Sequence, residues 1–115
     1  MKIVRLAELL EVGVSHNPQI LKKVMIQQGQ VPNLTNFSQF RAQPGQISPG
    51  HSHQDMVEVF LVESGHGQIE IDGQRFKLSP GVCVQVDINE QHEISNTGDQ
   101  ELVVTYFGIQ VGSVG

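Results

Sequence analysis

The sequence predicts an all-β fold. Three observations lead to this prediction. Helical spacing is confined to the first residues, the rest of the chain is made of short apolar segments, and turns rich in Gly, Pro, Asn and Asp separate those segments. Six or more short strands separated by such turns are typical of a β-sandwich or β-barrel. We see neither an internal repeat nor a linker, so we expect one domain over residues 1–115.

The first half of the chain predicts a short helical turn followed by strands. RLAELLE places three leucines on one side of a helix of about two turns. QILKKVMI and TNFSQFRAQ follow as strands, and a Pro-Gly turn ends the second. MVEVFLVE is apolar on both faces apart from Glu58 and Glu63, which is typical of a strand that is buried on two sides or lies in a subunit interface.

The second half predicts a hairpin and three further strands. Asp72-Gly73, between QIEI and QRFKL, is a strong signal for a type I′ hairpin turn. Alternation then places Phe76 and Leu78 on the inner face. VCVQV, HEIS and ELVVTYFGI are the remaining strands, and the tail QVGSVG is expected to be frayed.

Composition restricts the partners and the compartment. Seven basic and twelve acidic residues give a net charge of −5, which argues against nucleic acid and anionic membranes as partners. We find no signal peptide and no apolar run long enough to span a bilayer. The single cysteine, Cys83, is typical of a reducing compartment, so we predict a cytoplasmic protein. Because Cys83 lies between two valines, we expect a buried thiol.

Two histidines and a glutamate form a candidate metal site. His51 and His53 are two residues apart, so in a strand both side chains project to the same side. Glu58 follows inside an apolar strand, where a lone desolvated carboxylate is costly. A cation held by neutral imidazoles would remove that cost. His92, which begins HEIS on a distant strand, is the candidate fourth ligand.

Three histidines and one carboxylate are a donor set for a transition metal. We expect one divalent ion per chain, either Mn, Fe, Ni, Zn or Cu, rather than Ca or Mg. Four protein ligands would leave two positions of an octahedral shell for water or substrate. No catalytic residue can be assigned from the sequence.

The spacing of these residues resembles the motifs of the cupin superfamily. The first motif, G(X)5HXH(X)4E(X)6G, is matched in full by Gly45, His51, His53, Glu58 and Gly65. The second, G(X)5PXG(X)2H(X)3N, is matched in part by Gly81, His92 and Asn96. Asp87 and Asn89 replace the usual Pro and Gly; Asn89 can adopt the left-handed conformation, and Asp87 could form an Asx-type turn.

The resemblance implies a double-stranded β-helix, or jelly-roll barrel, with the motif-bearing core at about residues 34–110. It also implies that the metal lies inside the barrel on the four residues named above. Cupins include isomerases, dioxygenases and metal-free binding modules, and fold alone does not select among them. We expect a metalloenzyme that acts on a small oxygen-rich substrate, isomerase- or dioxygenase-like. The alternatives are a non-catalytic binding or sensing module and a structural metal site.

Other residues invite weaker hypotheses. Arg41 could bind a substrate carboxylate or phosphate, although an ordinary exposed arginine is an equal alternative. Tyr106 could donate a hydrogen bond to a bound ligand, or be a core residue. His16 and His66 are expected in surface turns or loops. Because several strands are apolar on both faces, we predict a homodimer with residues 18–28 near its interface.

Overall fold

The computed structural model describes residues 1–112 and consists of two antiparallel β-sheets. The last three residues of the predicted frayed tail lie outside the described residues. A 3₁₀ turn at Leu6–Glu8 precedes the strands. The strands are β1 Val12–Val14, β2 Asn17–Ile26, β3 Leu34–Ala42, β4 Ile47–His51, β5 Met56–Ser64, β6 Gly67–Ile71, β7 Gln74–Leu78, β8 Cys83–Val86, β9 His92–Ser95 and β10 Leu102–Gln110.

The strand order gives the jelly-roll barrel that the resemblance implied. One sheet has six strands in the order β1-β2-β3-β10-β5-β8, and the other has four in the order β4-β9-β6-β7. Neighbours in space are mostly distant in sequence, and every pairing is antiparallel. The all-β prediction is confirmed, and the helical segment is a single 3₁₀ turn with none of its three residues buried.

The core fills the space between the two sheets. Period-two alternation explains it: on β3 and β5 every second residue is buried, so one face of each strand packs inward. Burying each large apolar side chain contributes about 1.5–3 kcal/mol. The cluster of buried apolar residues comprises Ile20, Phe40, Ala42, Phe60, Val62, Ile69, Leu78, Val86, Ile94, Leu102 and Val104.

The predicted hairpin is present, and Phe76 lies on the predicted inner face because it pairs with the buried Ile69, but Phe76 itself is not buried. Asp72 and Gly73 have φ values of 48° and 85°, as the type I′ turn requires. Leu78 is buried, whereas Phe76 is 48% exposed. β7 is the edge strand of its sheet and pairs only with β6. Phe76 lines an open cleft between β7 and β8, so no second layer covers it.

The predicted burial of Cys83 is wrong. Cys83 is exposed and begins β8, the edge strand of the six-stranded sheet. It is paired with Leu61, which is itself exposed on the outer face of the sheet. Alternation therefore turns Cys83 away from the two half-buried valines beside it. Within residues 1–112, no helix is long and apolar enough to cross a membrane.

Candidate metal centre

The four predicted ligands come from three strands and one connecting segment. His51 is the last residue of β4, Glu58 lies on β5, and His92 is the first residue of β9. His51 and His92 are cross-strand partners, so their side chains share one face. His53 follows the end of β4 rather than lying in it. Strand alternation is therefore not what aligns it with His51.

The four side chains meet inside the barrel. One possible donor atom from each of the four lies within 4.8 Å of the others. Glu58 Oε1 is 3.2 Å from His53 Nε2 and 3.2 Å from His92 Nε2. Glu58 is only 8% exposed and His92 only 2%. The structure thus gathers the residues that the sequence singled out, in a site of low solvent access.

Backbone carbonyls set the orientation of two of the rings. His51 Nδ1 lies 3.0 Å from the carbonyl oxygen of Pro49, and His92 Nδ1 lies 3.3 Å from that of Glu90. A carbonyl oxygen only accepts, so each Nδ1 must carry the hydrogen and donate it. In the neutral rings this leaves the Nε2 lone pairs free, which is the arrangement that orients histidine for a metal.

The polar atoms that remain fit a metal ion. Glu58 Oε1 and His92 Nε2 are buried and 3.2 Å apart, but with the hydrogen of the neutral His92 ring on Nδ1 both are acceptors, so neither has a hydrogen-bond partner within the described chain. Leaving such atoms unsatisfied costs about 1–3 kcal/mol each. A cation among the four donors would satisfy both atoms, and nitrogen and carboxylate donors together suit a transition metal.

The charge states of the cluster are coupled. The pKa of Glu58 lies below its usual value. Burial alone would raise it, but the close contact with His92 and the nearby His53 and His51 lower it by more. Burial lowers the pKa of His51. The pKa of His92 lies above its usual value. Burial alone would lower it, but the contact with Glu58 and the hydrogen bond to the Glu90 carbonyl raise it by more. Glu58 is therefore held as a carboxylate, the form that binds a cation.

The two departures from the second motif do not displace His92. Asn89 has φ 64°, so it adopts the left-handed conformation predicted for it. Its backbone N–H donates to the carbonyl of His53 at 2.7 Å, which ties the two motifs together. The Asx turn predicted for Asp87 is not formed: Asp87 Oδ1 accepts from Gln85 Nε2 at 2.8 Å. The turn is closed instead by the backbone N–H of Glu90, which donates to the carbonyl of Asp87 at 3.2 Å, and Asp87 N–H donates to Glu90 Oε1 at 2.7 Å.

A cavity of about 330 Å³ opens onto the four ligands. Its walls combine apolar core residues with polar side chains from β2, β3 and β10. Tyr106 lies on this wall, with its ring stacked on Phe60 and edge-on to Phe40, both at 5.6 Å between centroids. Burial, reinforced by the charge of Glu58, raises the pKa of Tyr106 to about 12.

Arg41 is not part of this cavity. Its guanidinium donates to Glu101 Oε1 at 2.8 Å and to Gln39 Oε1 at 3.3 Å. Arg41 is also absent from the residues lining the cavity within the described chain. The hypothesis that Arg41 binds substrate is therefore not supported, since a neighbouring carboxylate already pairs with it.

Two of the cavity residues that the sequence did not place at the site are a histidine and a lysine. His16 is an exposed turn residue, as predicted, but its ring stacks on His51 with 4.0 Å between centroids and 25° between planes. Lys22 lines the cavity from β2. The sequence contained a signal that Lys22 faces inward, because Lys22 alternates with the apolar Ile20 and Val24 on a predicted strand. Glu58 alternates with apolar neighbours in the same way. Nothing local to His16 predicts its contact with His51.

The family model for the cupin domain matches residues 38–108. The chain therefore belongs to the cupin family, as the fold and the four-residue cluster indicate. It is 27% identical over 66 residues to an oxalate-binding protein of Thermotoga maritima. These residues are 57% of this chain and 54% of the relative, so the match spans about half the length of that relative.

Solved structures share the fold across almost the whole chain. A predicted oxalate decarboxylase from Thermotoga maritima has a TM-score of 0.88 at 20% identity, covering 96% of this chain and 100% of that one. The polyketide cyclase RemF from Streptomyces resistomycificus has a TM-score of 0.81 at 16% identity, covering 97% and 80%. A sugar phosphate isomerase from Silicibacter pomeroyi has a TM-score of 0.80 at 16% identity, covering 94% and 75%. At these identities the similarity is one of fold.

Proposed function

We propose that this cupin binds one divalent transition metal ion through His51, His53, Glu58 and His92 and acts on a small oxygen-rich substrate. The observation that carries the proposal is the convergence of the four side chains, with unsatisfied Glu58 Oε1 and His92 Nε2 atoms, beside a cavity of about 330 Å³. That volume lies at the low end of the range for small-molecule sites, about 300–1,000 Å³.

The residues of the cavity have separable roles. A bound metal would supply Lewis-acid polarisation or redox chemistry. Glu58 contributes the negative charge that offsets part of the cation's charge. Phe40, Phe60 and Ile94 provide apolar wall that excludes water. Tyr106, whose pKa is raised to about 12, keeps its phenolic hydrogen at neutral pH and can donate it to a ligand oxygen.

Relatives support a small oxygen-rich ligand but different reactions. The curated relative is an oxalate-binding protein, and the fold neighbours include a sugar phosphate isomerase and a polyketide cyclase. We favour a metalloenzyme, isomerase- or dioxygenase-like. The second candidate is a non-catalytic binding or sensing cupin, and the oxalate-binding relative is the observation that favours it.

Metal content tests the site. Protein purified without a His-tag is stripped with chelator, reloaded separately with Mn, Fe, Ni, Zn or Cu, and measured by elemental analysis. We expect about one ion per chain for at least one metal. His92→Ala should lose it, and His66→Ala, in an exposed loop, should retain it. Chains that stay empty with every metal would refute the site.

Ligand exchange separates the candidate functions. Cobalt-loaded protein is titrated with small carboxylic, keto and hydroxy acids and sugar phosphates while its visible absorption is recorded. We expect at least one compound to shift the spectrum, and the shift to vanish in His51→Ala. Turnover of that compound supports an enzyme, binding without turnover supports a sensor, and a spectrum that no compound changes supports a structural metal.

We also propose the homodimer as the assembly. Leu10, Val12 and Leu21 are exposed apolar side chains on the N-terminal segment and its strands, and Leu21 lies in the predicted interface region 18–28. A second subunit would cover them. Light scattering at micromolar concentration should give twice the chain mass for the parent and the chain mass for Leu21→Glu. A monomeric parent would contradict the proposal.

A further inference from the structure

A lysine lies on the inner face of β2. Lys22 alternates with Ile20, a buried core residue, and is the cross-strand partner of Phe40, another core residue. Directly opposed residues of an antiparallel pair share a face, so Lys22 faces the interior and lines the cavity. The next residue, Lys23, projects to the other face, where its Nζ donates to the carbonyl oxygen of Leu6 at 3.0 Å.

The ammonium group of Lys22 has no anionic partner among the described residues. Among residues 1–112, the ion pairs involve other side chains, and no carboxylate lies within 4 Å of Lys22 Nζ. Lys22 is only partly exposed. A partly exposed charge on this face is incompletely solvated, although less so than the buried Glu58. A ligand in the cavity is the group that could pair with it.

The charges around the cavity favour an anion. Glu58 belongs to the metal cluster, and Asp55 is an exposed residue at the cavity wall. A divalent cation and Lys22 together bring three positive charges against the two carboxylates. The cavity of the loaded protein therefore carries a net positive charge, which attracts anionic ligands.

Lys22 and the metal cluster lie on different parts of the cavity wall. In the six-stranded sheet, β2 is separated from β5, which carries Glu58, by β3 and β10. Three strand spacings are roughly 14 Å along the curved sheet. The cavity of about 330 Å³ has the volume of about eleven water molecules at roughly 30 Å³ each. Because the long side chain of Lys22 and the side chain of Glu58 both extend from their strands into this cavity, the gap that one ligand with two polar ends must span is shorter than the strand spacing.

We propose that Lys22 binds a second anionic group, carboxylate or phosphate, of a ligand whose first oxygen-bearing group is held at the metal cluster. This inference rests on the proposed function and adds to it a ligand class, small molecules with two anionic groups. It also makes Lys22 the residue that selects such ligands over monoanions. Arg41, which the sequence suggested for this role, is paired with Glu101 outside the cavity.

The test compares ligands that differ only in the second anionic group. Metal-loaded parent protein is titrated calorimetrically with malate and lactate, which share an α-hydroxy acid end. It is then titrated with 3-phosphoglycerate and glycerate, which share the same end and test phosphate in place of carboxylate. We expect the parent to bind malate or 3-phosphoglycerate about tenfold more tightly than the matched monoanion, because the second anionic group gains a charge-assisted hydrogen bond to Lys22.

Two variants assign that preference to the residue. Lys22→Met keeps a long unbranched side chain without charge and should reduce the tenfold preference to about onefold, with metal content unchanged. Lys23→Met removes an equal charge from the opposite face and should keep the preference. The pair that shows the preference, malate and lactate or phosphoglycerate and glycerate, identifies the second group as carboxylate or phosphate.

The outcomes separate this inference from the function on which it rests. If Lys22→Met keeps the preference, or if the parent binds lactate as tightly as malate and glycerate as tightly as 3-phosphoglycerate, the role of Lys22 is refuted and the metal-centred function stands. If the metal-loaded parent binds neither these four compounds nor any ligand of the cobalt screen, ligand binding at the metal is refuted, and the role of Lys22 with it.

Discussion

The replacement of Glu58 by glutamine tests the chemistry of the centre most directly. Glutamine has almost the same shape as glutamate, so the packing of this buried side chain is kept while its negative charge is removed. In the parent, Oε1 is 3.2 Å from the Nε2 atoms of both His53 and His92 and has no hydrogen-bond partner within the described chain. We expect Glu58→Gln to fold and to lose most of the metal-dependent stabilisation.

The size of the effect follows from linkage. A metal that binds only the folded state at 100 times its dissociation constant stabilises it by about 2.7 kcal/mol. For 115 residues, an unfolding entropy of about 2.1 cal/mol/K per residue converts this into a rise in Tm of about 11 °C. Removing a group that hydrogen-bonds to a metal ligand weakens metal binding by about 10–100-fold, so removing a ligand itself should weaken it by at least about 100-fold. The metal-dependent rise in Tm of Glu58→Gln would then be about 2 °C.

The assay is thermal unfolding with chelator and with metal at one fixed concentration. Glu63→Gln is the matched control, because Glu63 lies on the same strand and is exposed. Parent and Glu63→Gln should show the full rise in Tm, and Glu58→Gln only a small part of it. An equal rise in all three proteins would show that Glu58 is not a ligand and would refute our reading of its burial.

Three further predictions concern other parts of the structure. His16→Ala should weaken metal binding by about 2–10-fold, because the ring of His16 stacks on the metal ligand His51 and such a pair contributes about 0.5–1.5 kcal/mol. His66→Ala is the control for this variant. Tyr106, the only tyrosine, should titrate at 295 nm with a midpoint near pH 12 in metal-free protein. Ile69→Ala should reduce the free energy of unfolding by about 2–4 kcal/mol, and the exposed Leu61→Ala by less than about 1 kcal/mol.

The sign of the tyrosine effect can be checked separately. Because the folded state raises the pKa of Tyr106 above its ordinary value of 10.0, it favours the neutral phenol. That contribution to stability is complete below pH 10 and is lost as the pH rises towards 12. A midpoint near pH 10 would contradict the burial of the phenol.

The other two predictions have their own contradicting outcomes. Equal metal affinity in His16→Ala and the parent would show that the stacking does not position His51. Equal losses of stability in Ile69→Ala and Leu61→Ala would contradict the assigned core.

The features that were predictable from sequence depend on short stretches of chain. The turn at Asp72-Gly73 and the left-handed Asn89 follow from the backbone preferences of those residues. Strand alternation indicated that Glu58 is buried, and its 8% exposure agrees. His51, His53 and Glu58 span eight residues and match the first motif, so they were predictable as neighbours from the motif, although His53 lies outside β4 and Glu58 lies on the other sheet. His92 was the candidate that a distant strand offered, and the second motif supports it.

Register and edge position were decided by contacts between distant strands. Phe76 and Cys83 have sequence patterns typical of buried residues, but each lies on an edge strand where no layer covers it. Lys22 belongs to the cavity because β2 pairs with β3 in the register that opposes it to Phe40, and a shift of one residue would have placed Lys23 there. His16 reaches His51 across thirty-five positions of the chain. Local preferences carry no information about such contacts, because they form only when the sheets pack.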